Sequence, residues 1–447
     1  MTRVAGCLSI ERIVIATLMM LSAIAPAAAQ NLVEVYRAAR QFDAPYASAR
    51  QVLEATREKI PQGRAGLLPT INTTAGRNWN YIENNAPGRL FNDLNFRNQS
   101  WGVTLSQPLY RPANSTVLQQ AELQVTAAES TFAQANLDLA IRVSQAYFDI
   151  LNAEDTLRVI GSQKIATTEQ LAQARRNFEV GTATITDTNE AQARFDLVIA
   201  QEIAAQNDLE VKRRALAQIA GRYYPNLEKL RTPLNLPPAE PNNMDTWVQR
   251  SQDSSFNVRT QEANWEIARR EIDRNRAGHL PTLDLVGSTN RAQGVNQLSG
   301  TRTDTTTSVV GIQFALPIFA GGAVLSRVRE AVASQERARA DLDNVRRTAE
   351  FATRQSFLNY TNGLAQVRAL EQAEKSSEIA LASNRLGYEV GVRINIDVLN
   401  AQQQLFQTRR DLAKARYDTI VNGLRLKSAA GVLTEEDLEQ VSRLLGG

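Results

Sequence analysis

The chain contains 447 residues and carries a net charge of only +3. Nucleic-acid-binding domains show a strong basic excess or patch, so this balance argues against nucleic acid as a partner. The sequence has one cysteine, Cys7, and one histidine, His279, and no pattern that resembles a nucleophile–base pair or a metal cluster. We therefore expect no disulfide, no metal or other cofactor, and no enzymatic activity.

Residues 1–29 are predicted to be a secretory signal peptide. Arg3 and Arg12 precede an apolar run over residues 13–24, and alanines 27–29 provide a small-residue cleavage site. No later stretch approaches the roughly 18 apolar residues that a membrane-spanning helix needs. The fold is therefore expected to begin near residue 30.

The rest of the chain is an internal repeat with an offset of about 210 positions. The matching segments are 64–70 with 276–282, 178–181 with 388–391, and 220–221 with 430–431. A stable offset over several landmarks is far beyond chance, and it indicates duplication of one structural unit. We predict a single unit made of two repeats, at about 30–235 and 236–447.

Each repeat is predicted to open with a pair of strands in which apolar and polar residues alternate. The predicted strands lie near 70–82, 99–108, 282–290 and 305–316. Trp79, Tyr81 and Trp101 belong to the apolar faces. A soluble sandwich would bury such a face, whereas a membrane barrel turns it to lipid with aromatic residues near the interfaces. The polar segments 83–98 and 291–304 are predicted to be exposed hairpin loops.

A long helical hairpin is predicted to follow each strand pair, near 113–220 and 322–430. In both, apolar residues recur every seven positions in stretches free of proline, which indicates coiled-coil packing. These positions are Leu118, Val125, Phe132, Leu139, Ala146, Ala153 and Ile160, and then Val324, Ala331, Ala338, Val345 and Ala352. The long arm of the first hairpin would reach roughly 100 Å at ~1.5 Å per residue. Further helical segments are expected near 32–64 and 246–277.

Glycines mark the predicted tips of the two hairpins. Gly181 and Gly391 each follow the last periodic residue of a long arm, which suits a left-handed helix cap. Asp187 and Asp397 are predicted to be the N-caps of the return helices, and Asp187 could also form a capping box with Glu190.

Four strands are too few to close a barrel, because the smallest barrels contain about eight. Two chains would supply eight strands and a filled interior, and three would supply twelve strands and a lumen. A lumen agrees with the long helical hairpins, so we predict a homotrimer. The predicted fold class is a mixed α+β membrane protein: a twelve-stranded trimeric β-barrel continued by helical hairpins.

The sequence resembles the TolC family of outer-membrane channel proteins over essentially the whole mature chain. The most specific matches are residues 387–393, 397–401 and 427–433. The resemblance implies an exit duct for multidrug efflux or type I secretion in the outer membrane of a Gram-negative bacterium, with a tunnel in the periplasm. It also implies contact with outer-membrane lipid, and as partners a periplasmic membrane-fusion adaptor protein and an inner-membrane ABC or RND transporter.

The resemblance further implies a lock at the periplasmic end of the tunnel. The tyrosine and arginine of the family's second hairpin tip map onto Tyr388 and Arg393, and their partners map onto Thr186 and Asp187. Each aspartate could equally be a helix cap alone, or a cap and a gate residue together.

The family's carboxylates at the tunnel mouth map onto Asp397 and Asn400. The second position is an asparagine in this chain. The constriction is therefore expected to carry one ring of carboxylates instead of two, and to prefer cations less strongly.

Two functions other than an export duct agree less well with the sequence. A periplasmic coiled-coil adaptor would also carry a signal peptide, but it would have one hairpin, and not two copies each opened by amphipathic strands. A secreted hydrolase would need catalytic residues that the sequence lacks. His279 occupies the position of Leu67 in the other repeat, so we expect it to be incidental.

Overall fold

The computed structural model describes residues 30–83, 93–231, 234–295 and 301–446, so the predicted signal peptide lies outside the described residues. The chain divides into two compact units. The first, which we call the tip unit, contains the chain up to Ala47, Ala135–Ser255 and Glu350–Gly447. The second, the sheet unit, contains Ser48–Gln134 and Phe256–Ala349.

The sheet unit contains four antiparallel strands in the order β1-β2-β3-β4. Their bounds are β1 Thr70–Glu83, β2 Asp93–Tyr110, β3 Thr282–Val295 and β4 Arg302–Ala315. The prediction of loops over 83–98 and 291–304 was wrong for residues 83, 93–98, 291–295 and 302–304, which pair in the sheet. Residues 94–97 do alternate, but Leu94 and Phe96 are out of phase with Trp101 and Val103, and the other strand ends are mostly polar, charged or small.

One face of the sheet is apolar and fully open in the single chain. Ile71, Val310 and Phe314 belong to this face, and their side chains are 69%, 83% and 63% exposed. The opposite face carries small and polar residues such as Thr74, Gly102 and Ser288. An apolar face of this extent needs a cover of lipid or protein.

The two outer strands of the sheet, β1 and β4, each have one neighbour among the described residues. Each of them presents a row of 14 residues whose outer backbone N–H and C=O groups find no strand partner in the described sheet. Such an edge pairs readily with another chain.

Two helices contribute residues to both units, namely α4 Pro112–Glu179 and α8 Ala323–Glu389. Proline at the first position of α4 suits a helix start because its missing N–H would have no partner there. The other helices are α1 Leu32–Phe42, α2 Ala44–Arg57, α3 Lys59–Ala65, α5 Ile185–Ala220, α6 Met244–Ser254, α7 Phe256–Arg276, α9 Asn395–Ala429 and α10 Glu435–Ser442. No helix in the described part of the chain combines the length and apolar character that crossing a membrane requires.

The seven-residue stripes face inward, since all twelve of their residues are buried or half-buried. In the tip unit the largest buried side chains are aromatic, and the ring centres of Tyr147 and Phe148 lie 5.6 Å apart, edge to face. The hydroxyl of Tyr147 donates to the backbone carbonyl of Glu228 at 3.0 Å. Burial, together with the charge of Glu228, raises the pKa of this tyrosine, which keeps the hydroxyl protonated as a donor.

Candidate functional site

The two hairpin tips of the tip unit have the same backbone turn. We call α4 with α5 hairpin 1, and α8 with α9 hairpin 2. Both predicted turn glycines are left-handed, with φ of 79° at Gly181 and 78° at Gly391. In each tip an N–H just beyond the glycine reaches back 2.8 Å to a carbonyl of the last helical turn, from Thr182 to Asn177 and from Val392 to Gly387. This pattern is a Schellman cap, which only glycine adopts without strain.

The prediction that Asp187 and Asp397 are N-caps was wrong. The return helices begin two residues earlier, and their N-caps are Thr184 and Ile394. Thr184 and Asp187 form a capping box in which the threonine N–H donates to the aspartate carboxylate at 2.9 Å, while the aspartate N–H donates to the threonine hydroxyl at 3.2 Å. The predicted box of Asp187 with Glu190 was also wrong, because the hydroxyl three residues before Asp187 already completes the box.

Tyr388 links the two hairpins. Its ring packs against the buried residues Leu381, Val398 and Leu405 of hairpin 2. Its hydroxyl accepts a hydrogen bond of 3.2 Å from the side-chain amide of Asn177 in hairpin 1. Sequence reasoning identified the tyrosine but missed its partner.

Arg393 remains within its own hairpin. It lies 3.6 Å from the carboxylate of Asp397, one helical turn away, and its side chain is 58% exposed. It also packs over Gly387, where an added Cβ would come within 2.8 Å of Arg393 Cγ. Among the described residues of one chain, neither Arg393 nor Tyr388 bonds to the side chain of Thr186 or Asp187, and Thr186 is exposed.

Asn395 makes a second link between the hairpins, which sequence reasoning missed entirely. Its side chain is buried, at 1% exposure. The amide oxygen accepts a hydrogen bond of 2.6 Å from Gln170, and the amide nitrogen donates to the backbone carbonyl of Asp187 at 3.4 Å. One buried amide therefore contacts both helices of hairpin 1.

Asn400 also pairs with hairpin 1, through Arg194. The guanidinium donates to the amide oxygen of Asn400 at 3.0 Å and to the side-chain oxygen of Gln403. The second position of the expected constriction is thus an asparagine whose partner is a cation.

The seam between the hairpins is partly polar behind these contacts. Gln163, Thr167 and Gln402 are buried around a cavity of about 30 Å³. The side-chain oxygen of Gln163 and the amide nitrogen of Gln402 have no protein partner among the described residues. A cavity of this size and polarity can hold one water molecule. Val198 and Leu399 are buried and also line this cavity, so both polar and apolar contacts join the hairpins in this region.

The asymmetry between the two repeats was the signal that could have revealed these links. Hairpin 2 has a polar residue where hairpin 1 has an apolar one: Tyr388 replaces Phe178, Arg393 replaces Ala183, and Asn395 replaces Ile185. A polar residue in only one copy has a role that the duplicated fold itself does not require. In the described part of the chain, no cluster of three His, Cys, Asp or Glu residues is placed to hold a metal.

Comparison with known proteins gives consistent matches over both repeats. A family model described as an outer membrane efflux protein matches residues 35–222 and 247–432. The outer membrane protein TolC of Vibrio cholerae is 32% identical over 416 residues, which cover 93% of each chain. The proteases secretion protein PrtF of Dickeya chrysanthemi is 32% identical over 433 residues, which cover 93% of this chain and 91% of the relative.

A solved structure shows the same fold. The CmeC outer membrane channel of Campylobacter jejuni matches with a TM-score of 0.78 at 18% identity, over 93% of this chain and 90% of that chain. This similarity, together with the strands and long hairpins described above, confirms the predicted fold class.

The capping box predicts how firmly the first tip is held. Thr184→Ala should destabilise the start of α5 by about 1 kcal/mol. Amide hydrogen exchange in residues 182–190 should then be roughly fivefold faster. Asn189→Ala is the matched control, because this exposed asparagine of the same helix has no described hydrogen bond, and it should leave exchange unchanged. Equal exchange in both variants would show that the box does not hold the tip.

Proposed function

The chain belongs to the outer membrane efflux protein family, and on that basis we propose that its two hairpin tips form the gate of an outer-membrane exit duct. Proteins of this family are exit ducts for efflux and type I secretion, located in the outer membrane. The alternative of a periplasmic adaptor is wrong, because the family match covers both repeats. The observation that carries the gate is the set of hydrogen bonds between hairpins at the tips.

A trimer is the assembly that best satisfies the sheet. Strands β1 and β4 leave unpaired backbone edges, and an unpaired edge is not tolerated against lipid. Three chains joined edge to edge would close twelve strands around a lumen, with the apolar face toward lipid.

The partners follow from the kind of system in which such ducts work. The chain matches a relative named for protease secretion and a family model named for efflux, so both cargo classes suit it. We expect a periplasmic membrane-fusion adaptor protein and an inner-membrane ABC or RND transporter as partners. The duct is passive, and the transporter supplies the energy.

The gate has two sets of contacts in this proposal. Within each chain, Asn177–Tyr388 and Gln170–Asn395 hold hairpin 2 against hairpin 1. The lock implied by the family resemblance, from Arg393 to Thr186 and Asp187, does not form within a chain. Since Arg393 and Thr186 are exposed, this lock would close between neighbouring chains.

The lock between chains predicts a specific crosslink. The mature protein has no cysteine, because Cys7 lies in the predicted signal peptide. Asp187→Cys combined with Arg393→Cys should therefore be joined between chains by a short bismaleimide, whose span matches the reach of the arginine side chain, giving a covalent trimer on a denaturing gel. Each single variant is the control and should stay monomeric. Monomers from the double variant would place Asp187 and Arg393 apart in the closed assembly.

The links within each chain predict a variant that opens the duct. Tyr388→Phe with Asn395→Ile copies the residues that hairpin 1 has at the equivalent positions, and removes both links. Each hydrogen bond contributes about 1 kcal/mol. In three chains, their loss should shift the closed–open equilibrium by several kcal/mol. We expect conductance in planar bilayers to rise several-fold, and cells to become sensitive to large antibiotics.

The matched control for this variant is Asn384→Ala. Among the described residues its amide bonds only within its own helix, to the carbonyl of Ala380 at 2.9 Å. This control should conduct like the wild type. If the double variant forms normal trimers and also conducts like the wild type, the gate lies elsewhere.

Arg194 affects how much an aspartate at position 400, the residue that the family resemblance implies there, would raise cation selectivity. Asn400→Asp alone would place the new charge beside the Arg194 guanidinium, which would neutralise much of its field. Asn400→Asp with Arg194→Gln should therefore raise cation selectivity in single-channel recordings more than Asn400→Asp alone. Arg194→Gln is the control for loss of the positive charge. Identical selectivity in all three variants would show that position 400 does not face the lumen.

A further inference from the structure

Three arginines interrupt the apolar face of the sheet near its hairpin loops. In the strand register, Trp101 lies between Ala75 and Arg291. One step further toward the loops, Arg77 lies opposite Gln99, and at the next step Trp79 lies opposite Arg97. These rows share the face of Ile71 and Phe314, so arginines and tryptophans alternate on the surface that is otherwise apolar. We call this set, Arg77, Trp79, Arg97, Trp101 and Arg291, the arginine–tryptophan patch.

The position of the patch along the strands fits the edge of a lipid bilayer. Phe314 lies in β4 at the helix end of the apolar face. Thr306, which pairs with Arg291, lies eight positions away in the same strand. That is roughly 27 Å along the strand, or about 20 Å along a barrel axis at a tilt of about 40°. The apolar band of an outer-membrane barrel is about 25 Å tall. Charged residues on a lipid-facing surface cost least at its interfaces, where Trp and Tyr also concentrate.

Two of the three arginines of the patch are available to an anion. The guanidinium of Arg77 lies 5.5 Å from the ring centre of Trp79, and that of Arg97 lies 5.7 Å from the same ring. Within the described residues, neither Arg77 nor Arg97 has a carboxylate partner. Arg291 is instead neutralised by Asp304, at 2.9 and 2.6 Å. Glu83 and Asp93 occupy a pair of facing strand positions that lies four residues beyond Trp79, toward the loop.

The patch also contains a place for a headgroup. A shallow depression of about 530 Å³ is lined by Arg77, Trp101 and Arg291, with the amides of Gln99 and Gln293 between them. Guanidinium groups bind phosphate oxygens in pairs, and the amide of Gln99 adds a further donor, whereas the amide of Gln293 donates to Asp304 at 2.9 Å. An apolar band below the depression, formed by Ile71, Val103 and Leu105 with their neighbours, would contact acyl chains.

The chain order identifies the leaflet. The helices follow or precede the strands at the end of the sheet marked by Thr70, Tyr110 and Ala315, whereas the patch lies toward the opposite, loop end. If the helices extend into the periplasm, the patch lies at the outer leaflet, which in a Gram-negative outer membrane consists of phosphorylated glycolipid. We propose that the arginine–tryptophan patch binds the phosphate group of an outer-leaflet glycolipid.

The test is native mass spectrometry of the purified full-length assembly, mixed with defined lipids. The probes are bis-phosphorylated lipid A, the same lipid A with its phosphates removed, and phosphatidylglycerol. We expect retention of bis-phosphorylated lipid A, with much weaker retention of the other two. Arg77→Gln with Arg97→Gln should weaken retention of the phosphorylated form at least about tenfold, because two charges near the headgroup are lost. Arg77→Lys with Arg97→Lys should weaken it less, since charge remains while paired hydrogen bonding is lost.

The matched control removes two arginines elsewhere in the sheet unit. Arg276→Gln with Arg339→Gln alters the net charge equally, at exposed helix positions, and should retain lipid A like the wild type. Equal retention of dephosphorylated lipid A would overturn the role of phosphate. Equal retention of phosphatidylglycerol would overturn the choice of glycolipid. Unchanged retention in the Arg77→Gln, Arg97→Gln variant, with the assembly intact, would overturn the patch itself. None of these outcomes depends on whether the hairpin tips act as a gate.

Discussion

The fold depends on backbone hydrogen bonds that one chain cannot make. The described sheet ends in two edge strands, β1 and β4, each paired on one side only, and it exposes an apolar face that water does not solvate well. In a membrane the unpaired N–H and C=O groups would have no water to bond, so the strands must find neighbours of their own kind. Other chains can supply them, and the closed sheet then places its polar face around a lumen. The apolar exposure that would be a liability in water becomes the surface that anchors the assembly.

The duplicated hairpins contain two kinds of feature, those that both copies share and those that occur in one copy only. The shared features, such as the glycine turns and the buried seven-residue stripes, build the same structure twice. The features present in one copy only, Tyr388 and Asn395, connect the copies to each other. The seam behind them is partly polar, and each hydrogen bond across it can be broken at modest cost. A gate needs this balance, since a fully apolar seam would hold the hairpins together permanently.

An arginine on a lipid-facing surface indicates how far that part of the surface lies from the middle of the bilayer. The cost of such a residue falls from the middle of the bilayer to its edges, so Arg77, Arg97 and Arg291 are informative about where the hydrocarbon ends. The contact of Arg77 and Arg97 with the ring of Trp79 keeps these two guanidinium groups near the boundary, where phosphate is found. The same residues would then set the height of the barrel in the membrane and select the lipid around it.

The sequence by itself determined the features that depend on neighbours along the chain: the repeat, the strand alternation, the seven-residue stripes and the glycine turns. It failed at the strand end near Arg97, where the apolar residues are out of phase with the rest of the strand, and near Arg291, where few residues are apolar. It also failed at the N-caps, where Thr184 outcompeted Asp187. Only the tertiary structure decided the partners across the hairpins, Asn177 for Tyr388, Gln170 for Asn395 and Arg194 for Asn400. These residues lie more than 200 positions apart in sequence, and each looks like an ordinary surface residue of its own helix. Packing of one hairpin against the other is what gives them a role.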